Sequence, residues 1–110
     1  MDRNNKVGEL KTAIYQSDGY TVAQSHDTQI VRFNDDEIIL NSGGWQTVTT
    51  KRRMNQVSDG FHLGFRVSQR QGEWFVDYFA NEIGDTYSFN DGMILGRQSV
   101  ETPERINANV

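Results

Sequence analysis

The hydrophobic pattern of this chain changes period in one place only. From Thr12 to Leu40 and again from Phe61 to Ala80, apolar residues alternate with polar ones. Between them, Thr47, Thr50, Met54, Val57 and Phe61 recur at spacings of three and four. Alternation places side chains on opposite faces of a strand, whereas the three-four spacing lines one stripe of a helix. A single helical stretch between two alternating regions, with short connections, cannot supply the crossover helices of a parallel sheet. The pattern predicts an α+β fold: an antiparallel sheet of five to seven strands with one main helix, about residues 47–59, packed on it.

The turns support this reading. Ser17-Asp18-Gly19 has the Asp-Gly chemistry of a tight hairpin between strands at Thr12–Gln16 and Tyr20–Gln24. His26-Asp27 and Asn34-Asp35-Asp36 turn the chain into Thr28–Phe33 and Glu37–Leu40, which makes a four-strand meander. The unbroken run Ile38-Ile39-Leu40 marks its strand as central or covered on both faces. Beyond the helix, Gly60 fits the helix C′ position and Phe61 begins a half-buried strand. Gln69–Glu73 turns into Trp74–Ala80, where Trp74, Val76 and Tyr78 share one face and Phe75, Asp77 and Phe79 the other. Rings on both faces imply a cover on each side, the helix on one and a second copy of the chain on the other. Asn81–Asp85 reads as a turn, and Thr86–Phe89 and Met93–Leu95 as short strands. The expected core is Ile14, Val22, Ile30, Ile38, Leu40, Trp45, Met54, Val57, Phe65, Val67, Trp74 and Val76.

Residues 1–97 read as a single domain and 98–110 as a loose polar tail that holds the only proline. The chain has no cysteine, which removes disulfides, thiolate chemistry and cysteine-based zinc sites. A small domain without such staples gains stability by self-association, and a two-fold homodimer is expected. No apolar run approaches the roughly 20 residues that a bilayer requires, and the start lacks a secretion signal. Membrane contact is therefore not expected.

Catalytic signals are weak throughout. His26 and His62 lie far apart, the acidic residues around Asp18 and Asp35 sit in turns, and the serines carry no nucleophile motif. Gly43-Gly44 lacks the Gly-Lys-Thr ending of a phosphate-binding P-loop. The expectation is a non-enzymatic protein with no catalytic residues, no metal site and no cofactor.

One segment does carry binding chemistry. In Gly43-Gly44-Trp45-Gln46-Thr47-Val48-Thr49-Thr50-Lys51-Arg52-Arg53 a glycine pair, an aromatic, capping hydroxyls and three consecutive cations meet at a helix start. Free backbone N–H groups at such a start attract anions. Cations there oppose the helix dipole, by about 0.3–1 kcal/mol each, unless an anion accompanies them. The candidate anion or nucleic-acid contacts are Thr49, Thr50, Lys51, Arg52 and Arg53, with Trp45, Arg66 and Arg70 alongside. Trp45 reads first as a core plug and second as a platform for a base. The net charge of −4 lies wholly in residues 56–110, so any nucleic-acid contact is local rather than spread over a basic surface. Residues 73–104 hold seven acids (Glu73, Asp77, Glu82, Asp85, Asp91, Glu101 and Glu104) against Arg97 alone, a surface able to engage a basic partner.

Leu40-Asn41-Ser42-Gly43-Gly44-Trp45, continuing through Thr47-Val48-Thr49-Thr50-Lys51 to Arg53 and Asn55, resembles the signature of a family of small, uncharacterised tailed-bacteriophage proteins. Trp74-Phe75-Val76 and Asp91-Gly92-Met93 extend the resemblance over roughly Tyr20 to Leu95. It implies the cytoplasm of an infected host cell, or the virion, and an accessory protein whose partner is nucleic acid or a host protein. Three functions are open at this point. The first is binding of nucleic acid or another polyanion through the loop-helix start. The others are inhibition of a host protein, or a virion role, through the acidic half, and binding of a small phosphorylated ligand.

Overall fold

The computed structural model describes residues 12–80 and 83–97. The chain opens with strands β1 (Thr12–Ser17), β2 (Tyr20–Ser25), β3 (Thr28–Phe33) and β4 (Glu37–Leu40), paired in sequence as the expected antiparallel meander. Asp18 and Gly19 both take positive φ, 52° and 84°, the backbone that a two-residue hairpin needs. Helix α1 (Val48–Phe61) follows, then β5 (Phe65–Arg70), β6 (Glu73–Ala80), β7 (Ile83–Ser88) and β8 (Met93–Gly96). The fold is α+β, antiparallel throughout, with one helix among the described residues.

The strands form two sheets where the sequence suggests one. Five run in the order β1-β2-β3-β4-β8 and three in the order β5-β6-β7. β8 returns to the open edge of β4, pairing Ile38 with Leu95 and Leu40 with Met93. That pairing makes β4 an interior strand, as its apolar run predicts.

Helix α1 closes the edge of β5 with side chains instead of another strand. Asn55 Nδ2 donates to Val67 O at 2.9 Å, and Asn55 Oδ1 accepts from Val67 N at 2.7 Å. One turn further on, Ser58 Oγ donates to Phe65 O at 2.7 Å and accepts from Phe65 N at 3.0 Å. The helix thus runs antiparallel along the strand, and two side chains satisfy four backbone groups that a free edge leaves open.

One core joins the two sheets and the helix. Ile38 and Leu40, Met54 and Val57, and Val67, Trp74 and Val76 belong to the same buried cluster. A bulge in β3 leaves Ile30 without an opposite residue, and both Ile30 and Val31 are buried there. Across the sheets, Tyr78 donates to Gly96 O at 2.8 Å, and burial pushes its phenol above the ordinary tyrosine range. Of the expected core, Ile14 is only partly buried and Trp45 is not buried at all, at 66% exposure. The other ten are buried.

The helix end also differs from expectation. Gly60 stays helical, and His62 adopts the left-handed conformation, φ 56° and ψ 49°. The extra residues keep Phe61 on the helix, where its ring packs 5.1 Å from that of Phe33, so the next strand begins at Phe65. Asp85 lies in β7 rather than in a turn. On the outer face of β6, Arg70 covers Phe75 at 4.8 Å while Phe79 remains 60% exposed. The predicted tail, 98–110, lies outside the described residues.

Asn55→Ala should lower stability by about 1–3 kcal/mol, because it removes both partners of the Val67 backbone. Gln56→Ala, at the exposed neighbouring position, should stay within about 0.5 kcal/mol of the parent. Chemical denaturation of the two variants checks the contrast, and equal losses would remove the edge-closing role from Asn55.

Candidate functional site

The loop between β4 and α1 is pinned at several points. Asn41 N donates to Ile30 O at 3.1 Å, and Trp45 N to Ser42 O at 3.0 Å. Asp91, from the turn before β8, accepts from both the backbone N–H and the hydroxyl of Ser42, each at 2.7 Å. Gly43 has φ +65°, and a Cβ there would lie 2.3 Å from Thr28 Oγ1. Glycine is therefore required twice over, by conformation and by the close approach of Thr28. This bracing carries Trp45 outward: an exposed indole on a hydrogen-bonded loop, not a core plug.

The loop ends at the helix cap. Thr47 is extended, φ −111° and ψ 165°, and its hydroxyl accepts from Thr50 N at 3.2 Å. Of the three threonines able to cap, Thr47 does so. No acidic residue occupies the first turn. The first turn itself thus supplies no counter-charge to the positive end of the helix.

The helix start opens into a cleft of about 420 Å³. The β2–β3 turn contributes Ser25, His26, Asp27 and Thr28, the loop contributes Ser42, Trp45 and Thr47, and the helix contributes Thr49, Thr50 and Arg53, with Ile30 beneath. Arg53 is the decisive member. It is 8% exposed, its Nη1 donates to Ser25 Oγ at 2.5 Å, and its Nε has no partner. No carboxylate lies in salt-bridge contact with it among the described residues. Asp27 shares the cleft but is exposed to solvent.

The three consecutive cations are therefore split. Arg53 falls three residues after Thr50 and four before Val57, on the buried stripe, so the helix turns it inward. Lys51 and Arg52 face a shallow groove with Val48, Asn55, Gln56, Asp59 and Arg66. There Lys51 donates to Gln69 at 3.3 Å and Arg66 lies 3.7 Å from Asp59. Both of those contacts are exposed and contribute little. Of the residues singled out from sequence, Trp45, Thr49, Thr50 and Arg53 meet in the cleft. Lys51, Arg52 and Arg66 share the groove, and Arg70 stacks on Phe75 away from the cleft. Ser25 and Thr28 carry no signal in the sequence. Ser42 and Asp91 stand in the motifs of the resemblance with no sign that they pair, since that contact joins distant segments. For Arg53 the helical spacing did hold the signal.

Two of the acidic residues of the C-terminal half are engaged within the fold. Asp91 is committed to Ser42, and Asp77 accepts from Thr86 Oγ1 at 2.7 Å on the outer face of β6. Glu82, Glu101 and Glu104 lie outside the described residues. Among the described residues, no three His, Asp or Glu side chains group as a metal site, and no helix is long and apolar enough to cross a membrane.

The family model for the Kyanoviridae Gp96 protein matches residues 2–96, most of the chain. The chain belongs to that family and is a phage protein, in keeping with the resemblance of its loop-helix segment. No curated protein and no solved structure matches it.

The two tryptophans should respond oppositely to truncation. Trp74→Ala should cost about 3–5 kcal/mol, as expected for a buried ring. Trp45→Ala should cost less than about 1 kcal/mol, since little surface is uncovered. Thermal denaturation of both variants tests the exposure of Trp45.

Proposed function

We propose that this member of the Kyanoviridae Gp96 family is a non-catalytic binding protein that seats a phosphate group in the cleft between the β2–β3 turn and the start of α1. One observation carries the reading: Arg53 is buried beside a helix N-terminus with a single neutral hydrogen-bond partner and, among the described residues, no ion pair. A charge withdrawn from water without a counter-charge is strongly unfavourable. An anion in the cleft supplies what is missing, and the helix dipole favours the same sign of charge.

Phosphate suits the donors better than a carboxylate does. Its oxygens point in several directions, and the cleft is lined by the Arg53 guanidinium together with the side chains of Thr49 and Thr50. The groove holding Lys51 and Arg52 begins on the far side of the same helix turn. A polyanion whose terminal or looped-out phosphate enters the cleft has those cations available for its next phosphates.

Inorganic phosphate should raise the thermal midpoint of the wild-type protein in a saturable way, since a ligand that binds only the folded state stabilises it. Arg53→Met should abolish that response while leaving the unliganded protein as stable as before or more so, because it removes an uncompensated buried charge. Arg53→Lys, which keeps the charge, should retain a weakened response. A wild-type midpoint indifferent to phosphate, or an undiminished response in Arg53→Met, overturns the reading.

A further inference from the structure

We infer that the phosphate belongs to a nucleoside phosphate whose base lies on Trp45. The inference rests on the phosphate seat just proposed and adds the rest of the ligand.

The argument begins with the cost of displaying Trp45. A tryptophan that is 66% exposed leaves a large apolar surface in water, and an exposed large apolar group is the informative case. A mobile loop could let the ring fold back onto the protein. This loop is instead bonded at Asn41, Ser42, Gly43, Gly44 and Trp45, and fixed by Asp91 from 49 residues away. The fold therefore maintains the exposed ring, and on the wall of the cleft that holds Arg53.

The remaining lining fits the middle of such a ligand. The same lining holds short hydroxyl side chains, Thr28 and Ser42 among them, and one acceptor-only side chain, Asp27. A bare phosphate has no use for Asp27, which would repel it. A sugar hydroxyl can donate to that carboxylate. One cleft thus holds an aromatic ring, hydroxyls with one acceptor and a buried cation, the partners that a base, a sugar and a phosphate require. The volume, about 420 Å³, lies within the range of about 300–1,000 Å³ typical of small-ligand sites. A duplex cannot bring its stacked bases to Trp45 while placing a phosphate against a buried arginine. The ligand is therefore a free nucleotide or an unpaired nucleotide of a single strand.

Calorimetric titration with inorganic phosphate, ribose 5-phosphate, adenosine 5′-monophosphate and a 5′-phosphorylated tetranucleotide tests this. Adenosine 5′-monophosphate should bind roughly ten-fold or more tighter than ribose 5-phosphate, the size of effect that one base–aromatic stack supplies. Trp45→Leu should bring the two to the same affinity and leave inorganic phosphate unaffected, while Trp45→Phe should retain most of the difference. Asp27→Asn should weaken ribose 5-phosphate but not inorganic phosphate. A tetranucleotide that binds more tightly than the monophosphate, with the gain lost in Lys51→Gln/Arg52→Gln and at raised salt, identifies a strand as the source. Equal affinity identifies the free nucleotide. If ribose 5-phosphate and the nucleotide bind within two-fold of each other in the wild type, the nucleoside assignment is overturned and the phosphate seat stands. If inorganic phosphate also fails to bind, both fall. Preferential binding of a phosphoserine peptide, independent of Trp45, would overturn the nucleoside assignment as well.

Discussion

The pairing of α1 with the open edge of β5 governs the rest of the structure. A strand edge is a row of donors and acceptors at fixed spacing, and here Asn55 and Ser58 meet it where a further strand would. These bonds fix both the rotation and the height of the helix. With Asn55 and Ser58 held against β5, Thr50, Met54 and Val57 must face the core, and Arg53 must face Ser25. The same contact keeps β5 from joining the first sheet. Two sheets then share one core, and the edge of β4 is left for β8 to take.

Arg53 is where this packing and the proposed function meet. The helix could place a leucine or methionine at that position and gain apolar burial. It holds instead a guanidinium with one hydrogen bond and an unpartnered Nε. Departures of this kind, in which one position breaks the rule that its neighbours follow, concentrate at functional sites. The glycine pair, the Thr47 cap and the Asp91 anchor are local devices that hold the surrounding walls in place. Each is ordinary alone, and together they form a preorganised cleft rather than one that must assemble around its ligand.

The local structure was readable in the residues to a large extent. The meander, its Asp-Gly turn, the helix and most of the core follow from period and turn chemistry. Trp45 departs from the expected core because size and apolarity predict burial only on average, and nothing within the loop reveals that Asp91 anchors it at Ser42. The Gly60 helix end failed for a similar reason: contact between Phe61 and Phe33, distant in sequence, outweighed the local preference of glycine for a C′ position.

What the sequence determined by itself is therefore the identity of each element and the face that each strand or helix buries. Those depend on the spacing of neighbours along the chain, which the covalent backbone converts directly into direction. Only the tertiary structure decided which edges pair, how the strands divide into two sheets, and which of three adjacent cations enters the cleft. Those outcomes depend on hydrogen bonds between residues as far apart as Ser42 and Asp91, and on the helix rotation set by Asn55 and Ser58 against β5. Spacing along the chain encodes neither, because a strand's alternation names its faces and leaves both its edges open to any partner.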